Sequence, residues 1–493
     1  MRASMILEKK HKIRLPERKS FIPLAGVLIF FIISRILYDR AGIQFQGDTY
    51  LYYWQFIDPV LLRTDLWRSV FYLHSQPPLM NLFTGIIIQA FPTNHETVFH
   101  ILYFITGLML GISIYYLGIF LRFPPWISAV ISTWFIISPG TALYEHWLTY
   151  AYPLTCALTL AGICVYQFIH TKKNYWGVMF FTLLGGIALT WSLFHLVWLI
   201  GIAVLLLVIF GERKKVVFAA LVPVLLVTAW YAKNYFIAGE FTASTWSGMN
   251  VSRITISRLS KIERNHMIKS GQLSEFAGIV PFTWPVSYLT LLPDTQLTGI
   301  PILDGLETSS GNPNVHHLVY IEASKYYLQD ALYIIRMKPE YYFRSVAQAF
   351  YIYFHPSSDT RLIQQNNVQV TKLDGWWKRF FSGQWKSDDN RQKNKSISGE
   401  YIGWWIVLGF FISITGSTVL LWKNRRHLSE PANFLILFMV YNILFLTLAG
   451  NFLEIGENNR FRFTIDPFML ILFIFYIIQA AEFVQKQRKN MIH

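Results

Sequence analysis

Charge is what this sequence has little of. Charged residues make up 14% of 493, against about 25% in a typical soluble protein, so most of the surface is not built for water. Cysteine is nearly absent. Cys156 and Cys164 both fall inside one apolar run, which excludes a disulfide framework and a zinc site built on thiolates. No repeat of fixed period is present, which excludes a solenoid or propeller. No small-residue cleavage site follows the first apolar run, where Ser34-Arg35-Ile36-Leu37-Tyr38 stands instead. That run is therefore expected to remain as a first transmembrane helix with the N-terminus in the cytoplasm.

What is abundant is apolar. Hydrophobic residues reach 53% and gather in runs close to the ~20 residues that cross a bilayer. The expected spans are roughly 21–38, 98–121, 125–143, 148–170, 174–191, 194–210, 216–237, 401–422, 432–450 and 466–485. The formal net charge of +15 sits in short clusters between those runs. Such clusters mark cytoplasmic loops by the positive-inside rule, so the basic balance points to a membrane surface and not to nucleic acid.

Two further runs, 77–91 and 341–354, are settled by parity. If neither crosses, the loops with Arg122, Lys172-Lys173, Arg213-Lys214-Lys215 and Lys423-Asn424-Arg425-Arg426 fall on the cytoplasmic side with both termini. The expectation is an all-α polytopic membrane protein of about ten transmembrane helices, with interfacial helices at the two short runs; twelve is the count if both cross. Three parts follow. Residues 1–238 form a transmembrane module whose first external loop is 39–97, 239–400 form an external loop domain, and 401–493 return to the membrane. Within the second part, 386–398 is polar and low in complexity, as a linker is.

The residues suited to chemistry gather on the external side. Asp48, in Gly47-Asp48-Thr49-Tyr50, puts a carboxylate just beyond the first helix, where it can take a proton from an acceptor hydroxyl. The same position also suits a helix cap. His74-Ser75-Gln76-Pro77-Pro78-Leu79 offers polar groups for a headgroup or sugar, or simply starts the interfacial helix. Glu145 and His146 lie between two apolar runs, where charge needs water, a partner or a cavity. Arg460 and Arg462 sit outside, against the charge trend, and their forked donors match phosphate oxygens. Pairing with Glu454 and Glu457 is the competing reading. Lys233, at the outer end of the seventh span, and Arg344, in the second short run, are further candidates for phosphate, and His195 is a weaker one.

Together these patches resemble the GT-C glycosyltransferases, multi-spanning enzymes that use polyprenyl-phosphate sugars. The likeness is to the branch of aminoarabinose transferases and protein O-mannosyltransferases. Four elements stand in the same order: Gly47-Asp48, Gln76-Pro77-Pro78-Leu79, the acidic loop at Glu145, and Arg460-Phe461-Arg462 ahead of Pro467. The resemblance implies that Asp48 and Glu145 are catalytic. It also implies that His74, Gln76, His146, Lys233, Arg460 and Arg462 bind substrate. Thr49 stands where some members carry a second acid, and no metal and no cofactor is expected. The donor would be a polyprenyl-phosphate sugar, and the acceptor hydroxyl would belong to a lipid, glycan or protein. Transfer would invert the anomeric centre, on the outer face of what is expected to be a bacterial inner membrane.

Two other classes compete. A transporter or flippase places charges near the midplane of broken helices, whereas here the polar residues gather at one face. A non-catalytic membrane scaffold would keep the same topology without the chemistry.

Overall fold

A computed structural model describes residues 18–384 and 402–492. The basic stretch ahead of Arg18 and the whole of the polar 386–398 linker lie outside the described residues. The labelled helices are α1 Arg18–Arg40, α2 Leu79–Ala90, α3 His95–Phe120, α4 Pro125–Ile136, α5 Pro139–Glu145, α6 Ala151–Thr171, α7 Asn174–Ala188, α8 Leu196–Ile209, α9 Arg213–Ala238, α10 Val319–Met337, α11 Pro339–Tyr353, α12 Trp404–Lys423, α13 Pro431–Leu453, α14 Asn458–Phe463 and α15 Asp466–Ile492. No strand occurs among the described residues; Gln46 and Trp147 form one of two isolated bridges.

Each apolar run carries a helix because no other backbone arrangement of a single segment satisfies its own polar groups in hydrocarbon. Among the described residues seven helices (α1, α3, α6, α9, α12, α13 and α15) are long and apolar enough to cross a bilayer. The pair α4 and α5 passes the same test together, bent by 61°. The chain is an all-α, multi-pass membrane protein. Helices α7 and α8, at 15 and 14 residues, form a shorter there-and-back pair. Lys172 before α7 meets Glu212 after α8 at 3.3 Å, so both connections lie at the same end of the bundle.

The long segments collect at the opposite end, called here the loop-bearing end. Helix α2 begins and ends there. The Leu79 amide donates to Leu189 O at 2.9 Å, and Gln89, near the other terminus, donates to Leu62 O at 3.0 Å. Its 12 residues reach only ~18 Å, well short of a ~30 Å hydrocarbon core. Helix α11 enters obliquely. Tyr342 donates to Phe452 O, and Tyr353, eleven residues on, meets Thr447 at 2.6 Å. That advance is ~16 Å along α11 but only ~8 Å along α13.

Beyond the bundle, α10 and the helix Ser247–Ile254 build a second core around Trp246, Met249, Tyr320 and Tyr327. The two backbones touch at Gly248, where a Cβ would stand 1.8 Å from Ser324 O. Trp54, from the segment between α1 and α2, stacks on Trp246 at 4.9 Å and ties this core to the bundle.

The topology is open to direct test in a background with Cys156 and Cys164 replaced by alanine. Single cysteines at Asn94 and Ser310 should react with an impermeant thiol reagent from the same side of a sealed vesicle, and Lys214→Cys only from the other. A single cysteine at Thr64, exposed ahead of α2, should react from the Asn94 side; labelling of these two from opposite sides would mean that α2 crosses.

Candidate functional site

Helix α4 breaks inside the membrane, at Ile137-Ser138 ahead of Pro139, and a break frees carbonyls that lipid cannot satisfy. Two side chains of α1 supply the donors. Arg35 Nη1 reaches Ile136 O at 2.6 Å, and the Tyr38 hydroxyl reaches Ile137 O at 2.7 Å. The Arg35 guanidinium then needs a counter-charge, and Glu145 at the end of α5 provides it. Nε sits 3.0 Å from Oε1, and Nη2 sits 2.5 Å from Oε2. Tyr152 donates to Oε2 as well, at 2.5 Å. The close approach depends on Gly107, where a Cβ would lie 2.6 Å from both Phe31 and the Tyr152 hydroxyl. Glu145 is thus wholly buried and engaged through both oxygens, so of water, a partner or a cavity it is a partner that meets its charge.

The rest of that loop supports the first long segment. His146 O accepts from Gln46 N at 2.8 Å, and Leu148 N donates back to Gln46 O at 3.4 Å. This short ladder ends two residues before Asp48, which lies in the 3-10 turn Gly47–Leu51. Asp48 is exposed and does not cap the turn, whose cap is Gln46 without a side-chain bond. His146 is buried; its Nδ1 contacts Ala142 O at 2.8 Å, and burial lowers its basicity.

His74 is a joint between segments. Its Nε2 donates to His316 O at 2.9 Å, so Nδ1 accepts from Thr245 Oγ1 at 2.7 Å. His316 does the same, donating to Phe56 O at 2.9 Å and accepting from Ser75 Oγ at 2.5 Å. Lys233, at the end of α9, donates to Leu73 O at 2.5 Å and covers the Trp230 ring. Gln76, next in sequence, faces a narrow pocket with Gln55, Thr149 and Tyr150. His195 meets the Tyr231 ring edge-on, and Arg344 is exposed.

The two arginines of α14 differ. Every nitrogen of Arg462 is engaged: Nε with Asp466 at 2.8 Å, Nη1 with the carbonyls of Tyr353 and His355, Nη2 with Ser357 Oγ at 2.8 Å. Arg460 is also buried, at 3% exposed. It holds Glu457 at 2.8 Å and the Tyr150 hydroxyl at 3.1 Å, yet its Nε has no acceptor among the described residues. Its charge also acts on Tyr53, whose ring stands 6.0 Å from Trp147. Arg460 therefore meets the Glu145–Tyr150 loop, whose Trp147 in turn contacts Tyr53 of the segment that follows Asp48. Of the pairing with glutamates considered for the two arginines, Glu457 pairs with Arg460, whereas Glu454 faces Arg253 at 3.8 Å.

Sequence reading overlooked Arg35, Tyr53 and Tyr150. A lone arginine in an apolar run was itself a signal, because charge at that depth demands a partner. The tyrosines carried none, since aromatics line every wall of this bundle.

Removing one member of a buried ion pair leaves the other uncompensated, at a cost of ~3–5 kcal/mol. Glu145→Gln should therefore lower the unfolding temperature of the purified protein sharply, while Arg35→Met with Glu145→Met should regain only the part due to the stranded charge, because Ile136 O then lacks its donor. Equal melting of the single and double variants would remove the pair from its structural role. A second outcome concerns acid. Burial depresses the His74 pKa from 6.5 to about 3 and that of His316 to about 4, so both rings are neutral in the fold while the unfolded chain protonates them first. Their contribution is complete above pH 6.5 and is lost as pH falls from there toward 4 and 3. Melting measured between pH 7 and 4 should show a shallower dependence in His316→Gln than in the wild type.

No family model matches the chain, and no curated protein matches it. Among solved structures, the crystal structure of ArnT from Cupriavidus metallidurans bound to undecaprenyl phosphate is similar, with 14% identity, a TM-score of 0.31, and coverage of 86% of this chain and 77% of that one. A score so low assigns no residue of this chain a role.

Proposed function

We propose that the chain is a membrane glycosyltransferase of GT-C type that moves a sugar from a polyprenyl-phosphate donor to an acceptor hydroxyl at the loop-bearing, outer side. The observation that carries the reading is Arg460: a buried guanidinium with an unused Nε–H, set where the Asp48 segment and the 145–150 loop meet. A cation kept with a spare donor at a membrane surface suits an anionic group brought in by a ligand.

In this mechanism Arg460 holds the donor phosphate, with the Tyr150 hydroxyl beside it. The phosphate leaves already ionised, so it needs stabilising charge more than a proton. The acceptor oxygen attacks the anomeric carbon, the bond from that carbon to the phosphate oxygen breaks, and the acceptor proton passes to Asp48. A single displacement inverts the anomeric centre. Glu145 is assigned through Arg35 to positioning the 145–150 loop, and His74 and Lys233 to fixing the segment that presents Gln76. Arg462, with its donors taken, anchors α14 and so orients Arg460.

The test is turnover of a labelled panel of polyprenyl-phosphate sugars by membranes holding equal amounts of each variant. Wild type should consume one donor. Asp48→Asn should lose ~100- to 10,000-fold, as expected for a general base. Arg460→Gln should lose ~100-fold or more, as when a charge-stabilising donor is removed, with melting unchanged for Asp48→Asn. Full activity in Asp48→Asn would discard Asp48 as the base, and no turnover of any donor by wild type would discard the transferase.

A further inference from the structure

A cavity of about 510 Å³ lies apart from Asp48 and Arg460, within the size range of ligand sites. Its walls are apolar and belong to bundle helices: Val130 and Trp134 of α4, Gly409 of α12, Phe473 and Ile474 of α15. Ile474 is eight residues into α15, ~12 Å along its axis. The cavity therefore stays within one leaflet of a ~30 Å core, the leaflet on the loop-bearing side. It reaches the lipid-facing surface, because the rim residues Val130, Phe380 and Trp405 are 56%, 55% and 44% exposed.

The end nearest the loops is polar, and its chemistry is specific. Ser138, Thr141, Ser357 and Ser358 line it with hydroxyls. Among the described lining residues two are cations, Arg462 and Lys378, and both are matched. Arg462 is saturated by Asp466, Ser357 and two carbonyls. Lys378 is clamped by Asp359 at 2.6 Å and by Asp374, which Ser358 also contacts at 2.7 Å. Among the described lining residues Asp466 is the carboxylate, and neither cation could meet a phosphate without giving up an existing partner. Serine hydroxyls and carboxylates are suited to bonding a head rich in hydroxyls. Tyr144 stacks on Phe463 at 3.9 Å at this end, and the lining residues Arg462 and Phe463 belong to the same short helix as Arg460, so the polar end borders the arginine cluster.

We propose that this cavity holds the hydrocarbon chain of a membrane lipid with an uncharged, hydroxyl-bearing head, admitted sideways from the loop-side leaflet. Resting on the transferase reading, that lipid is the acceptor, and its hydroxyl is presented toward the Arg460 cluster while the phosphate donor binds elsewhere.

The experiment uses the purified full chain in nanodiscs with two photoreactive probes of identical acyl chains, diacylglycerol and phosphatidic acid, and maps crosslinked peptides by mass spectrometry. Gly409→Leu fills the cavity, and its first added atom would stand at an ordinary 3.7 Å from Phe473. Val130→Trp fills it from the opposite wall, so a folding failure in one variant leaves the other. Diacylglycerol should mark peptides of α4, α12 and α15, and the fillers should reduce that labelling several-fold. Phosphatidic acid should mark them several-fold less. Equal or stronger labelling by phosphatidic acid, or labelling indifferent to both folded fillers, overturns the proposal. Because the readout is binding, a chain without transferase activity can still pass, and an active chain can still fail.

Discussion

A helix broken inside a membrane exposes carbonyls that have no water to turn to, and the organisation of the loop-bearing end follows from how this chain deals with that. Arg35 caps the break below Pro139, and its charge is then neutralised by Glu145 just past the break. One guanidinium thus satisfies the backbone of α4, joins α1 to α5, and fixes the start of the loop that runs on to Tyr150. Such a pair is a weak source of net stability, since desolvation offsets much of the attraction. Its value is geometric, because neither partner can move without stranding a charge in hydrocarbon.

From that anchor the arrangement spreads by short-range contacts. The 145–150 loop bonds the backbone of Gln46, which sets the turn carrying Asp48. Tyr150 meets Arg460, and Arg462 ties the same short helix to the end of α11. His74 and His316, each donating through one ring nitrogen and accepting through the other, join the first long segment to the second core. The polar groups suited to binding are therefore held by side chains whose own bonds are satisfied. Asp48 is exposed, and Arg460 keeps a donor unused among the described residues.

The two arginines show why spacing alone is a poor guide to role. Arg460 and Arg462 are separated by one residue, and in sequence they look like one phosphate clamp. On a helix they point apart, and each meets a different neighbourhood. Arg462 turns toward Asp466 and the end of α11 and is used up there; Arg460 turns toward Tyr150 and is not. The same divergence places one arginine beside the proposed donor phosphate and the other at the polar end of a lipid-sized cavity.

The sequence by itself determined that this chain lives in a bilayer, where its helices run, and that its polar residues share one end. Those features follow from run length, hydrophobicity and the placement of Lys and Arg, which are local quantities. Gly47-Asp48, Glu145 and the two arginines were also legible as unusual, because charge beside an apolar run always needs a reason. Which reason applied was decided only by tertiary structure. Whether Glu145 met water or Arg35 depended on a partner 110 residues away, and whether Arg462 kept a free donor depended on carbonyls more than 100 residues earlier in the chain. The cavity between α4, α12 and α15 had no trace in the sequence at all, since a void is a property of how far apart helices come to rest and of nothing in any one of them.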